Sequence, residues 1–181
     1  MIKGGFDKDV AISVDPGMGG GIAWHDGNEM NWSKTPSGAK EMANSVRRIV
    51  RHFSIEGIPK RKILVTIEQV HAMPHDGRSS LFKFGTNYGM WLGIFGTMNL
   101  DVVPISPQVW QKSYISTPSA FESKAKRKRY LKNIAIECYQ TGDKKITLAT
   151  SDAVLICKYS YEELLLSSSD VASNNKGYNN G

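Results

Sequence analysis

A chain of 181 residues, 40% of them apolar, fits one ordinary α/β domain and can bury a real core. No run approaches the roughly 18–20 uninterrupted apolar residues of a membrane-spanning helix, which excludes that class. Nor does Met1-Ile2-Lys3-Gly4-Gly5 lead into a secretory apolar region. The formal charge of +6 suits a polyanionic partner, and the excess is concentrated. Lys124, Lys126, Arg127, Lys128, Arg129 and Lys132 form a run with no acid inside it, either a phosphate footprint or a solvated helix face. Cys138 and Cys157 lack metal-ligand spacing and read as two buried thiols.

Residues 9–14 (DVAISV) predict a buried strand that stops at Asp15-Pro16-Gly17. After Gly19, Gly20 and Gly21, the run Ile22-Ala23-Trp24 predicts a second strand. His25-Asp26-Gly27-Asn28 is a hairpin turn signal, and residues 30–32 form the returning strand. Residues 37–53 place Met42, Val46, Ile49, Val50 and Phe53 at helical spacing, with Lys40, Arg47, Arg48 and Arg51 on the other face. Residues 63–67 (ILVTI) make another β-branched strand, ending at Glu68. Residues 71–80 read as a loop. Residues 82–98 predict a helix with glycines at 85, 89, 93 and 96, a spacing that suits close packing on the sheet or a dimer interface. A short strand over 101–105, a helical turn through Val109 and Trp110, and helices over 121–139 and 151–166 complete the domain (residues 1–166). Residues 167–181, rich in Ser, Asn and Gly, predict a disordered tail. The order is that of a mixed α/β sheet with helices on its faces.

Asp15 and Glu68 each end a buried strand. Sites in α/β sheets form at the carboxyl ends of strands, so the two acids are expected to converge. Paired carboxylates repel unless a cation lies between them, and hard oxygen donors suit Mg²⁺ or Mn²⁺. Acids holding such ions are a common device for phosphodiester hydrolysis. Asp152 sits in the first turn of the last helix, where it suits a cap as well as a ligand.

The segments VDPGMGGGIAW (14–24), IEQVHAMPHDGRSSLFKFGTNYGMWLGI (67–94) and PISPQVWQKSY (104–114) resemble the RuvC-type Holliday-junction resolvases, on their phage and bacterial branch. The resemblance runs in order over residues 9–165. It implies a ribonuclease-H-like fold with a five-stranded mixed sheet, three strands antiparallel and two parallel. It also implies a homodimer that nicks four-way DNA junctions with Mg²⁺, or Mn²⁺ in its place, in recombination, repair or phage DNA processing, within the cytoplasm of a bacterial or phage-infected cell. Position by position, Asp15, Glu68 and Asp152 match the family's acids and imply metal ligands. Lys112 and Lys128 match lysines near the cleavage site, where a cation stabilises charge on the scissile phosphate. The family pattern has a further His or Asp three or four residues before its last acid; here Leu148 and Ala149 stand there, with Asp143 a shifted substitute.

Arg78, Lys83 and Phe84, with Lys124, Lys126, Arg127 and Arg129, are the expected DNA contacts. Phe82 and Phe84 suit either stacking on an unpaired base or packing under their helix. His71, His75 and Asp76 are weaker candidates beside Glu68, and Trp91 and Trp110 read as core. Two rival functions remain: an inactive branched-DNA-binding protein of the same fold, which Ala149 permits, and an actin-like ATPase, whose two lobes need a longer chain.

Overall fold

The computed structural model describes residues 7–69, 77–117, 121–140 and 142–166. Strands β1 (Val10–Val14), β2 (Gly21–His25), β3 (Met30–Lys34), β4 (Ile63–Glu68) and β5 (Val102–Ile105) form one sheet in the order β3-β2-β1-β4-β5. β2 pairs antiparallel with both β1 and β3, whereas β1–β4 and β4–β5 are parallel. The expected three-plus-two arrangement is the observed one.

Alternation along the strands sends side chains to two cores. Val10, Ile12 and Val14 of β1 join Ile63, Val65 and Ile67 of β4 under helices α1 (Ala39–Ile55) and α2 (Arg78–Thr97). Ala11 and Leu64 point the other way, toward α4 (Lys124–Tyr139) and α5 (Ser151–Tyr159). A short helix, α3 (Pro107–Gln111), follows β5. α5 is apolar nearly all round because it lies over β1 and β2 with α4 on top, and every residue from Ser151 to Cys157 is buried.

Several boundaries move for identifiable reasons. The helix expected over 121–139 starts at Lys124, because the Ser123 Oγ caps it by accepting from the Lys126 amide at 3.2 Å. The helix expected from residue 82 starts four residues earlier, at Arg78, so the end of the expected loop is helical. The last helix widens into a π-helical segment over Ser160–Leu166, where the Ser160 hydroxyl donates to the Ile156 carbonyl at 2.8 Å.

Two packing expectations are corrected. Gly85, Gly89, Gly93 and Gly96 do not face the sheet: all four are exposed, and a Cβ on any of them would meet nothing within 4 Å. α2 packs instead through Trp91, Ile94 and Phe95. Cys138 is exposed because the inward face of α4 is set by Leu131 and Ala135; Cys157 alone is a buried thiol. No helix among the described residues is long and apolar enough to cross a membrane. The tail over 167–181, and His71, His75 and Asp76, lie outside the described residues.

Candidate active site

The register decides where the acids go. Val14 stands opposite Ile67, so Asp15, one residue past β1, lies beside Glu68 at the end of β4. Counting by two, Asp15 shares a face with Ser13, and Glu68 with Thr66. One step inside the acids, the Ser13 and Thr66 hydroxyls meet at 2.5 Å, and Thr66 meets the Ser160 hydroxyl at 2.9 Å. This hydroxyl chain satisfies the polar atoms under the acids without adding charge. α5 crosses the same face and brings the buried Asp152 to the group.

The backbone around Asp15 is closely fitted. The Asp15 amide donates to the Gly21 carbonyl at 3.0 Å, and the Gly17 amide donates to Asp15 Oδ1 at 3.0 Å. Buried Asn87 of α2 donates from Nδ2 to the Pro16 carbonyl at 2.5 Å, tying this loop to the helix above it. Gly20 is required sterically: a Cβ there would lie 2.2 Å from the Asp15 carbonyl oxygen and 2.8 Å from its Cγ. On the opposite side, the fully buried Trp110 of α3 donates from its indole nitrogen to Glu68 Oε1 at 3.0 Å. Trp110, read from sequence as core, is therefore also part of the site. Only its place in the WQKSY segment pointed there, since spacing alone does not separate a core indole from one with a polar partner.

Asp15, Glu68 and Asp152 are 7%, 9% and 5% exposed, so their electrostatics are those of buried charge. Burial raises the Asp15 carboxyl above the ordinary range; the Gly17 amide opposes this and Asp152 adds to it. Glu68 is pushed up to about 8, first by burial and then by the charges of Asp15 and Asp152, with the Trp110 N–H and Lys128 pulling back. Lys128 Nζ stands 3.3 Å from Asp152 Oδ2. Burial draws the Lys128 ammonium down, but Asp152, Asp15 and Glu68 outweigh it, and the group stays protonated above its ordinary value.

These acids open into a cleft of about 860 Å³. α2 supplies one wall, with Lys83, Phe84 and Tyr88; α4 supplies another, with Lys124, Arg127 and Lys128. Phe84 and Tyr88 are stacked, with ring centroids 6.2 Å apart at 27°. Met18, Gln111 and Tyr88 also line the cleft and carried no sequence signal of a role. Phe82 is 78% exposed and outside the cleft, so of the two phenylalanines only Phe84 is at the site.

Other expected residues are not brought in. Lys112 is exposed on the turn after α3, and it is Gln111 that faces the cleft. Arg78 and Arg129 are exposed outside its lining, and Lys126 is paired with Glu122. Asp143 is exposed and outside the cleft lining, Leu148 is half exposed, and Ala149 packs its carbonyl close to Gly21, so among the described residues no fourth carboxylate joins the three.

When ionised, three buried carboxylates with one ammonium beside them carry more negative charge than the lysine offsets, and their oxygens are the donors that Mg²⁺ and Mn²⁺ prefer. The donor chemistry fits a divalent cation. Among the described residues, no three His, Cys, Asp or Glu side chains are drawn together closely enough to hold one as they stand.

Thermus thermophilus RuvC in complex with a Holliday junction substrate is similar in structure, with a TM-score of 0.50 over 85% of this chain and 95% of that one. The fold is ribonuclease-H-like. The sequences are 15% identical across that match. A second Thermus thermophilus RuvC structure matches with a TM-score of 0.50 and 16% identity, over 86% of this chain and 97% of that one. No family profile and no curated protein sequence matches the chain.

Proposed function

We propose that this protein is a divalent-metal-dependent endonuclease that cuts branched DNA, four-way junctions foremost. One observation carries the reading: three buried carboxylates converge at the carboxyl edge of a ribonuclease-H-like sheet, at the bottom of a cleft with basic walls. The shared fold with a RuvC bound to a Holliday junction substrate supports DNA with that branching as the ligand.

In this reading Asp15, Glu68 and Asp152, which stand too far apart to share an ion as they are, would draw together to hold Mg²⁺ or Mn²⁺, with Gly17 orienting one carboxylate and Trp110 another. A divalent ion bound there supplies Lewis acidity toward the phosphodiester and neutralises the three acids. Lys128 stays cationic and steadies Asp152 while facing the scissile phosphate. Lys83, Lys124 and Arg127 bind the sugar-phosphate backbone, and the Phe84–Tyr88 pair offers a ring to an unpaired base at the branch point. Arg78, Lys112, Lys126 and Arg129 then touch flanking DNA rather than the reacting phosphate. Two such sites for symmetric nicks require a homodimer, and the open glycine face of α2 is a surface on which a second copy can approach closely.

The test compares four-way junction with linear duplex in Mg²⁺ and in Mn²⁺. Paired nicks confined to the junction are expected, with Asp15→Asn and Glu68→Gln abolishing cutting while retaining binding. Wild-type cutting by either variant sinks the assignment. Leu148 and Ala149, where the family pattern has a further His or Asp, favour one alternative, a junction-binding protein without catalysis, which binding without product under both metals would establish.

A further inference from the structure

The basic face of α1 has no role in the cleft. Lys40, Arg47, Arg48 and Arg51 are exposed, and among the described residues none of them is in an ion pair. Arg47 is braced by Asn44, whose Oδ1 accepts from Nη1 at 3.1 Å. At helical periodicity Lys40, Asn44, Arg47 and Arg51 fall along one line, with Arg48 beside it. From Lys40 to Arg51 this line is about 16 Å long, at the α-helical rise per residue. Glu41 is the only acid within α1.

Topology connects the line to the cleft. β1 and β3 run in the same direction, because each pairs antiparallel with β2. The end of β3 therefore lies on the sheet edge that carries Asp15, and the Thr35 amide donates to the Gly20 carbonyl at 3.0 Å. α1 starts at that edge and runs back down the sheet, carrying its cations from the Asp15 loop outward.

The geometry points to a second phosphate-binding surface: the Lys40–Arg47–Arg48–Arg51 face holds the backbone of a duplex DNA arm leaving the cleft. This rests on the reading that the cleft takes DNA. Four unpaired cations within about three turns repel one another and are relieved by phosphates, to which guanidinium presents a matching fork of donors. A lipid surface fits less well. An interfacial helix inserts an apolar face, and here Met42, Val46, Ile49, Val50 and Phe53 are spent on the core.

The experiment measures how binding of the full chain to a linear duplex of about three helical turns falls with salt. The wild type is compared with Lys40→Gln/Arg47→Gln/Arg48→Gln/Arg51→Gln and with a variant in which the three arginines become lysine. Losing four phosphate contacts lowers the log–log salt slope by roughly 3–4. The lysine variant retains most of the slope, and exposed positions leave the melting temperature nearly unchanged. An unchanged slope in the glutamine variant overturns the inference. So does a loss confined to phosphatidylserine vesicles with duplex binding intact. If the slope difference holds while the wild type cuts no junction in either metal, the α1 surface stands and the nuclease reading fails.

Discussion

Glu68 concentrates the physical chemistry of the site in one side chain. Its carboxyl is pushed up to about 8 by burial and by Asp15 and Asp152, against an ordinary value of 4.5. An acid whose pKa is higher folded than unfolded favours folding while it is protonated. The stabilisation is therefore full below about 4.5 and is lost as pH rises through 8. Metal-free protein is expected to melt at progressively lower temperature across that window. Glu68→Gln should flatten the trend, and Mg²⁺ should restore the melting temperature at the alkaline end if the acids bind it. Melting curves in chelator and in Mg²⁺ at several pH values check all three. Trp110→Phe removes the one N–H that the described residues donate to the Glu68 carboxyl, at a cost of about 1–3 kcal/mol. It should also move the Glu68 titration further up, which separates a positioning role from plain core packing. Gly20→Ala should be damaging for a different reason, since its methyl would collide with the Asp15 backbone. Loss of cutting out of proportion to lost stability is expected there.

At the scale of elements, α5 and α2 are opposites. α5 is buried along nearly its whole length, so Leu155→Ala should cost about 2–5 kcal/mol in chemical denaturation. α2 presents its glycines to open space, where they lower helix stability without aiding contacts inside the chain. Gly89→Ala/Gly93→Ala should therefore stabilise the monomer by about 1 kcal/mol per site. If α2 is the face between two copies, the same double variant should weaken self-association in analytical ultracentrifugation. α4 joins the two behaviours, with Leu131 and Ala135 in the core and Lys124, Arg127 and Lys128 on the cleft. The basic run was legible in the sequence. Of its members facing the acids only Lys128 was singled out, by the family resemblance, because the rest depends on how α4 rotates on α5.

For the whole molecule, charge separation matters more than net charge. Buried acids lie at one edge of the sheet, cations line the cleft on α2 and α4, and a further set runs down α1, in the same layer as α2. An arrangement of this kind favours a ligand with several phosphate-bearing arms over a single strand. Junction binding should accordingly be steeper in salt than binding to a short single strand, as competition titrations can measure.

By itself the sequence determined which segments form the strands and the placing of Asp15 and Glu68 at strand ends. Each follows from local rules: β-branched runs, alternation, and acids at points where the apolar pattern stops. Asp152 was visible as an acid in a first turn, but only the packing of α5 across β1 and β2 made it a third member of the site. Tertiary structure alone decided the remainder. It gave Trp110 a polar partner, placed Gln111 rather than Lys112 on the cleft, turned the α2 glycines outward and exposed Cys138. These outcomes depend on the rotation of one helix against its neighbours, and one-dimensional periodicity fixes a helix's faces without saying what each face will meet.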